Sequence, residues 1–393
     1  MWINRTISQN LTNTLSRSKS ILLFGPRQTG KTSVVKKLAH DTYITLMDPA
    51  KHRQYESAPE SLLQEVKAQK YLLNRKPIII LDEIQKVPDI TDVIQILIDE
   101  DIAQFILTGS SARKIKNLLP GRVIKYTLSP LSLVELEGIN LNLEAILTNG
   151  LLPEVYTTTN QFAVNELLES YVNLYIEEEV RKEALVRNVG NFTNFLNLAC
   201  IESGNIINLR AIAYEIGMSH QTIAEYYRIL QDCMLIEKIN ALTKSITRKR
   251  LNKSPKFILF DLGVKRIGAG EPSNPGIHQQ ASLFEQFIGL ELSKIIRLRG
   301  KLEKLFFWRS HDGPEVDFVL EENGLYIPIE VKWTDKPTQR DTKHLVTFKK
   351  EYPLKNNMYV ICRCAEPMLL ADNIMALPWQ HLAKIFTNPL SEA

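Results

Sequence analysis

The octapeptide GPRQTGKT, residues 25 to 32, constrains this chain more than any other stretch. It matches the pattern GxxxxGK[ST] in full, and its surroundings suit the pattern. ILLF ahead of it reads as a strand, and SVVKKLA behind it reads as a helix. A buried strand that passes through such a loop into a helix predicts an α/β fold with a mostly parallel sheet. Gly25 and Gly30 let the loop wrap closely around a row of phosphates, with backbone N–H groups turned inward. Pro26, Arg27, Gln28, Thr29 and Ser33 are expected to complete the cradle. Lys31 is expected to reach the β- and γ-phosphates of ATP, and the Thr32 hydroxyl to hold Mg²⁺.

A second element agrees with the first. PIIILDE, residues 77 to 83, reads as a buried strand ending in two acids, at the end where parallel sheets bind ligands. Asp82 is expected to contact the Mg²⁺ through water, and Glu83 to polarise the attacking water as general base. FILTGSS, residues 105 to 111, is a third strand ending in hydroxyls, and Thr108 or Ser110 is placed to sense the γ-phosphate. A plain strand-end turn explains each of those two equally well. Arg113 and Arg122 follow as candidate arginine fingers on a neighbouring subunit, although an exposed arginine is the default for each.

Composition removes several classes. Four cysteines, at 200, 233, 362 and 364, are too few for a disulfide scaffold, and they read as buried structural thiols. The N-terminus is polar and mixed, unlike a signal peptide, and no apolar run approaches the length of a membrane span. A soluble, reducing, cytoplasmic setting without a membrane is therefore expected. The net charge of +4 is too mild to imply nucleic acid by itself. At 393 residues, three regions differ in character. They are a P-loop region at 1–148, a helical middle at 149–250, and a second α/β region at 251–393.

In the middle, residues 207 to 239 read as helix, tight glycine turn, helix and strand, the layout of a winged helix-turn-helix. Gly217 makes the turn, Ser219 caps the second helix, and Ser219, His220, Gln221, Thr222 and Arg228 lie on or near its exposed face. DNA contact and inter-domain packing are both open for this module. The run that follows holds Lys244, Arg248, Lys249, Arg250, Lys253 and Lys256 with no acid, which suits a grip on phosphates or a solvated loop.

In the last region IPIEVKW, residues 327 to 333, puts Ile327, Ile329, Val331 and Trp333 on one face of a strand and Glu330 with Lys332 on the other. EVDFVL, residues 315 to 320, puts Val316, Phe318 and Leu320 on one face and Asp317 on the other. A turn at Glu322-Asn323-Gly324 would pair the two strands and bring Asp317 beside Glu330 and Lys332. Glu285 lies on the core-facing stripe of a preceding helix, with Glu291 as a weaker substitute. Asp317 and Glu330 are hard oxygen ligands for Mg²⁺ or Mn²⁺, Lys332 can orient water, and Glu285 can complete the metal shell. A simple Glu330–Lys332 salt bridge would not need the other two acids.

Two resemblances add to this reading. Asp317 followed by Glu330-x-Lys332, with the helical Glu285 ahead of them, resembles a PD-(D/E)xK nuclease core, without that motif's usual proline. GPRQTGKT, LDEIQKVP, LTGSSARK, LPGRV, LSPLSLVEL and GLLPEVY together resemble a prokaryotic group of AAA-type ATPases that carries an uncharacterised C-terminal domain. The resemblance implies an AAA+ core, a winged-helix middle and a restriction-endonuclease-like C-terminal domain. The two sites taken together lead to the expectation of ATP hydrolysis coupled to metal-dependent cleavage of nucleic acid, DNA first, with a homo-oligomer left open. A nucleotide-controlled switch whose nuclease-like domain binds without cutting is the alternative.

Overall fold

A computed structural model of the chain describes residues 2–111, 119, 121–176, 189–243, 254–300, 302–310 and 313–386. The N-terminal part is built on five parallel strands: β1 (Ser20–Phe24), β2 (Thr42–Thr45), β3 (Ile78–Asp82), β4 (Gln104–Gly109) and β5 (Val123–Thr127), in the order β2-β3-β4-β1-β5. The strands with the longest apolar runs take the buried central places. Ile21, Leu22, Leu23, Ile80, Leu81, Ile106 and Leu107 are fully enclosed. This order puts β4 between β1 and β3, so the ends of all three strands open onto one region.

The C-terminal part is built on a mixed sheet. Its strands are β6 (Ile236–Ala241), β7 (Lys256–Leu259), β8 (Lys304–Arg309), β9 (Glu315–Glu322), β10 (Leu325–Val331), β11 (Met358–Cys362), β12 (Met368–Ala371) and β13 (Ile374–Pro378), in the order β12-β13-β11-β10-β9-β8-β6-β7. The β9–β10 hairpin turns at Asn323 and Gly324, whose φ angles of 54° and 79° suit a tight two-residue turn. Ile327, Ile329 and Val331 share one core cluster, with Trp333 packed against it.

β9 departs from the expected alternation. Phe306 of β8 faces Val319 while Trp308 faces Val316, so β9 carries one extra residue between those pairs. Val316 and Val319 therefore join one core cluster, while Phe318 and Leu320 join another. A bulge reverses the faces of a strand. The single face expected for Val316, Phe318 and Leu320 is thus split at Asp317 and Phe318.

The helix Ile277–Arg299 crosses this sheet. A side chain at Gly289 would come within 2.6 Å of Phe318 and 2.9 Å of Ile258, so glycine is what lets the helix lie this close. The same helix ties the two halves of the chain together. Glu291 is fully buried; it accepts from Leu133 N at 2.8 Å and from Lys294 Nζ at 2.7 Å, and Lys294 also donates to Leu131 O at 2.8 Å. Glu291 is therefore a strut holding the LSPLSLVEL segment rather than a stand-in for Glu285.

In the middle region the helix Leu209–Ile216 ends at Gly217, with φ of 71°, and Ser219 caps the helix His220–Asp232 by accepting from Thr222 N at 3.1 Å. Ile223, Tyr226, Tyr227 and Leu230 are buried, whereas His220, Gln221 and Arg228 are exposed. Of the basic run, Lys244, Arg248, Lys249, Arg250 and Lys253 lie outside the described residues, and Lys256 begins β7. Among the described residues no helix is long and apolar enough to cross a membrane. All four cysteines are buried.

Candidate active sites

The loop at residues 25 to 30 joins β1 to the short helix Lys31–Val35. Gly25 is required by packing, since a side chain there would meet Leu128 O at 2.4 Å. Gly30 is required by conformation, with φ of 90°. Pro26 and Thr29 are buried, Arg27 and Gln28 half-buried, and Ser33 exposed. Lys31 is turned back on the loop, donating to Gly25 O at 2.9 Å and Pro26 O at 3.0 Å. Thr32 Oγ1 donates to both oxygens of Asp82, at 3.1 and 3.0 Å, so the two expected Mg²⁺ partners are already in contact. Asp82 also accepts from Tyr43 Oη at 2.9 Å and from Thr108 Oγ1.

Glu83 follows with φ of 62°, a left-handed backbone that a residue with a side chain adopts at a cost. Its amide donates to Thr108 Oγ1 at 3.1 Å. Its carboxylate accepts from Gln85 Nε2, and Ser110 Oγ donates to it at 3.3 Å. Gln85 Nε2 also reaches Ser110 Oγ at 2.8 Å. Of the two candidates for sensing a γ-phosphate, Thr108 is bonded to Asp82 and to the Glu83 amide, and Ser110 to the Glu83 carboxylate. Sequence reasoning passed over Gln85, although it stands two residues from Glu83 in LDEIQ. It also passed over Arg5, which donates to Thr29 O at 2.6 Å and Ser129 O at 2.6 Å and pairs with Glu135 at 2.9 Å. No local pattern marks Arg5, because its partners are 24 to 130 residues away.

The C-terminal cluster forms where β9, β10, β7 and the crossing helix meet. Asp317 Oδ2 accepts from Val331 N at 2.8 Å. Lys332 Nζ donates to Glu330 Oε1 at 2.6 Å, and His344 Nδ1 stands 3.6 Å from the same oxygen. Glu330 Oε2 is buried without a hydrogen-bond partner. Burial, and then the charges of Glu285 and Glu330, push the Asp317 carboxyl well above its usual range. Burial also raises Glu330, against the pull of Lys332. Burial works to lower Lys332, yet the charges of Glu330 and Asp317 outweigh it and raise the ammonium. Glu285, Asp317, Glu330 and Lys332 thus act on one another's charge within one cluster.

Two members of this cluster went unforeseen. Lys256 Nζ lies 3.1 Å from Glu285 and 2.9 Å from Glu315, so four acids face two lysines. Among the described residues, no three Asp, Glu, His or Cys side chains are grouped closely enough to hold a metal ion as they stand.

Residues 17–137 match a family model described as an AAA domain. The N-terminal domain is an AAA-type P-loop ATPase domain. The match implies that this domain binds a nucleotide, ATP, as AAA domains typically do with Mg²⁺. Residues 140–271 and 280–382 match two domains of unknown function, DUF8612 and DUF4143. Two uncharacterised proteins, from Mycobacterium tuberculosis and Mycobacterium bovis, are each 22% identical over 346 residues, covering 85% of this chain and 75% of theirs. Among solved structures, the ORC2 protein of Aeropyrum pernix covers 75% of this chain and 95% of its own at 12% identity and a TM-score of 0.27. A STAND protein with a tetratricopeptide repeat sensor from Pyrococcus horikoshii covers 76% and 47% at 13% identity and a TM-score of 0.24. Scores this low carry no argument. In the AAA domain Arg122 is paired to Asp99 at 2.8 and 2.9 Å, and Arg113 lies outside the described residues.

Proposed function

We propose that this chain couples ATP hydrolysis in its AAA domain to metal-dependent cleavage of nucleic acid, DNA first, in a restriction-endonuclease-like C-terminal domain. On this reading residues 1–148 are the motor, 149–250 a helical linker with a winged helix that places nucleic acid, and 251–393 the cutting domain. In the motor Lys31 would leave its loop carbonyls for the β- and γ-phosphates, Thr32 would hold the Mg²⁺ with Asp82 contacting it through water, and Glu83 would polarise the attacking water as general base. The assembly works as a homo-oligomer if one chain's arginine completes the next chain's ATP site.

The observation that carries the cutting half is that Glu285 on the crossing helix, Asp317 on the bulged β9, and Glu330 and Lys332 at the end of β10 act on one another's charge. Asp317 and Glu330 would hold a divalent ion there, which would supply charge neutralisation and an activated water. Lys332 orients that water or donates to the phosphate oxygen on which charge develops. Glu285 steadies the arrangement through Lys256.

The test is incubation of the pure chain with ATP, Mn²⁺ or Mg²⁺ and a panel of DNA and RNA substrates, reading cleavage and ATP turnover together. Cleavage that needs the divalent ion supports the proposal. The rival is a nucleotide-controlled switch that binds nucleic acid without cutting, and the lack of a ready-made three-ligand group among the described residues favours it. Turnover of ATP with no cleavage of any substrate would establish the rival.

A further inference from the structure

A cavity of about 360 Å³ lies between β5, with the segment that follows it, and the last turn of the helix Ile277–Arg299. No residue of the P-loop borders it, so it is separate from the ATP site. Among the described residues, its border carries four cations, Arg5, Lys125, Lys294 and Arg297, against one carboxylate, Glu135. Arg5 is taken up by Glu135 and by loop carbonyls. Lys294 has three N–H donors and gives two, to Glu291 and to Leu131 O. Arg297 gives one terminal nitrogen to Glu237 at 2.6 Å, while its Nε is buried without a hydrogen-bond partner. Ser132, which also borders the cavity, is 2% exposed, and its hydroxyl is likewise unpartnered. Buried polar groups are nearly always paired, so these two call for a partner.

We propose that this cavity binds a small organic phosphate, at a site distinct from the ATP site. Lys294 and Arg297 stand three residues apart on one helix and so lie side by side. The bond from Lys294 to Leu131 O brings Ser132 next to them. A phosphate group offers three strong acceptor oxygens, enough for donors arriving from two elements, where a carboxylate offers two. Ile7, Leu128 and Leu298 give the cavity an apolar side for the organic body. Its volume lies near the lower end of small-molecule sites, about 300–1,000 Å³, which suits a monophosphate and not a nucleic-acid chain. The inference stands apart from the cutting reading.

The test is calorimetric titration of the full chain with AMP, ribose 5-phosphate and adenosine. Mg²⁺ and a saturating non-hydrolysable ATP analogue keep the P-loop filled throughout. One molecule of AMP or of ribose 5-phosphate per chain is expected, and no binding of adenosine. Binding of both phosphates shows that the phosphate suffices; binding of AMP alone shows that the base is read as well. Arg297→Gln and Ser132→Ala should each weaken binding at least about tenfold, the scale of one hydrogen bond to a charged group. Ser132→Ala removes no hydrogen bond from the free chain, so it decides if Arg297→Gln fails to fold. Failure of both phosphates to bind overturns the inference. So does adenosine binding as tightly as AMP, or affinity unchanged in a folded Ser132→Ala.

Discussion

Asp82 accepts from three hydroxyls, those of Thr32, Tyr43 and Thr108, and so keeps its place at the end of β3 before any cation arrives. Lys31 is held differently, bonded to the Gly25 and Pro26 carbonyls of its own loop, which on the proposed function it would exchange for phosphates. Lys31→Ala should therefore weaken ATP binding by about a hundredfold, the scale of one charge-assisted hydrogen bond removed from a closed site, as read by nucleotide titration. Unchanged affinity would place the phosphates elsewhere. Burial, then the Asp82 charge, hold the Tyr43 phenol up to about 12, against 10.0 for a free phenol. The folded chain keeps that proton where the unfolded chain loses it, so stability falls as pH climbs from about 10 to about 12. Tyr43→Phe should lessen that fall, measured as the urea midpoint at about pH 9 and about pH 11, below and above the phenol's ordinary value. The contiguous residues of this site were legible because the motif fixes them by spacing. Arg5 and Gln85 were not, since one acts from a distant part of the chain and the other looks like any turn residue.

At the scale of elements, the hairpin was readable from Asn323-Gly324 and the apolar face of β10 from strict alternation. The bulge in β9 was not, because one extra residue leaves no mark in a short apolar run. It sits at Asp317 and re-aims that side chain, as bulges near functional sites do. Lys256 was legible only as part of a basic run, and its acids come from two other elements. Gly289 sets how close the helix bearing Glu285 approaches β9. Gly289→Ala should cost about 1–3 kcal/mol by overpacking against Phe318, seen as a lower urea midpoint. A midpoint at or above the wild type would show that Phe318 yields freely. Glu291→Ala leaves Lys294 buried without its carboxylate and should destabilise by about 3–5 kcal/mol in the same measurement.

Across the whole molecule, the two sites share structural members. Arg5 joins the P-loop to the segment at Ser129 and Glu135, and Glu291 and Lys294 join that segment to the helix that carries Glu285. A shift in the P-loop thus has a bonded route to the C-terminal cluster. The run holding Arg248, Lys249 and Arg250 supplies three cations near that cluster in sequence. Neutralising all three should, on the proposed function, weaken DNA binding and lower the salt slope by about 3, and an unaltered slope would assign them to solvent. On the proposed function, one chain holds an ATP site and a separate phosphodiester-cutting site. Nicking of supercoiled plasmid with ATP and Mn²⁺ by Asp317→Asn, beside its ATP turnover, tests that pairing most directly. Loss of nicking by at least about a hundredfold with ATP turnover retained is the predicted result. Equal nicking by the variant and the wild type would contradict it.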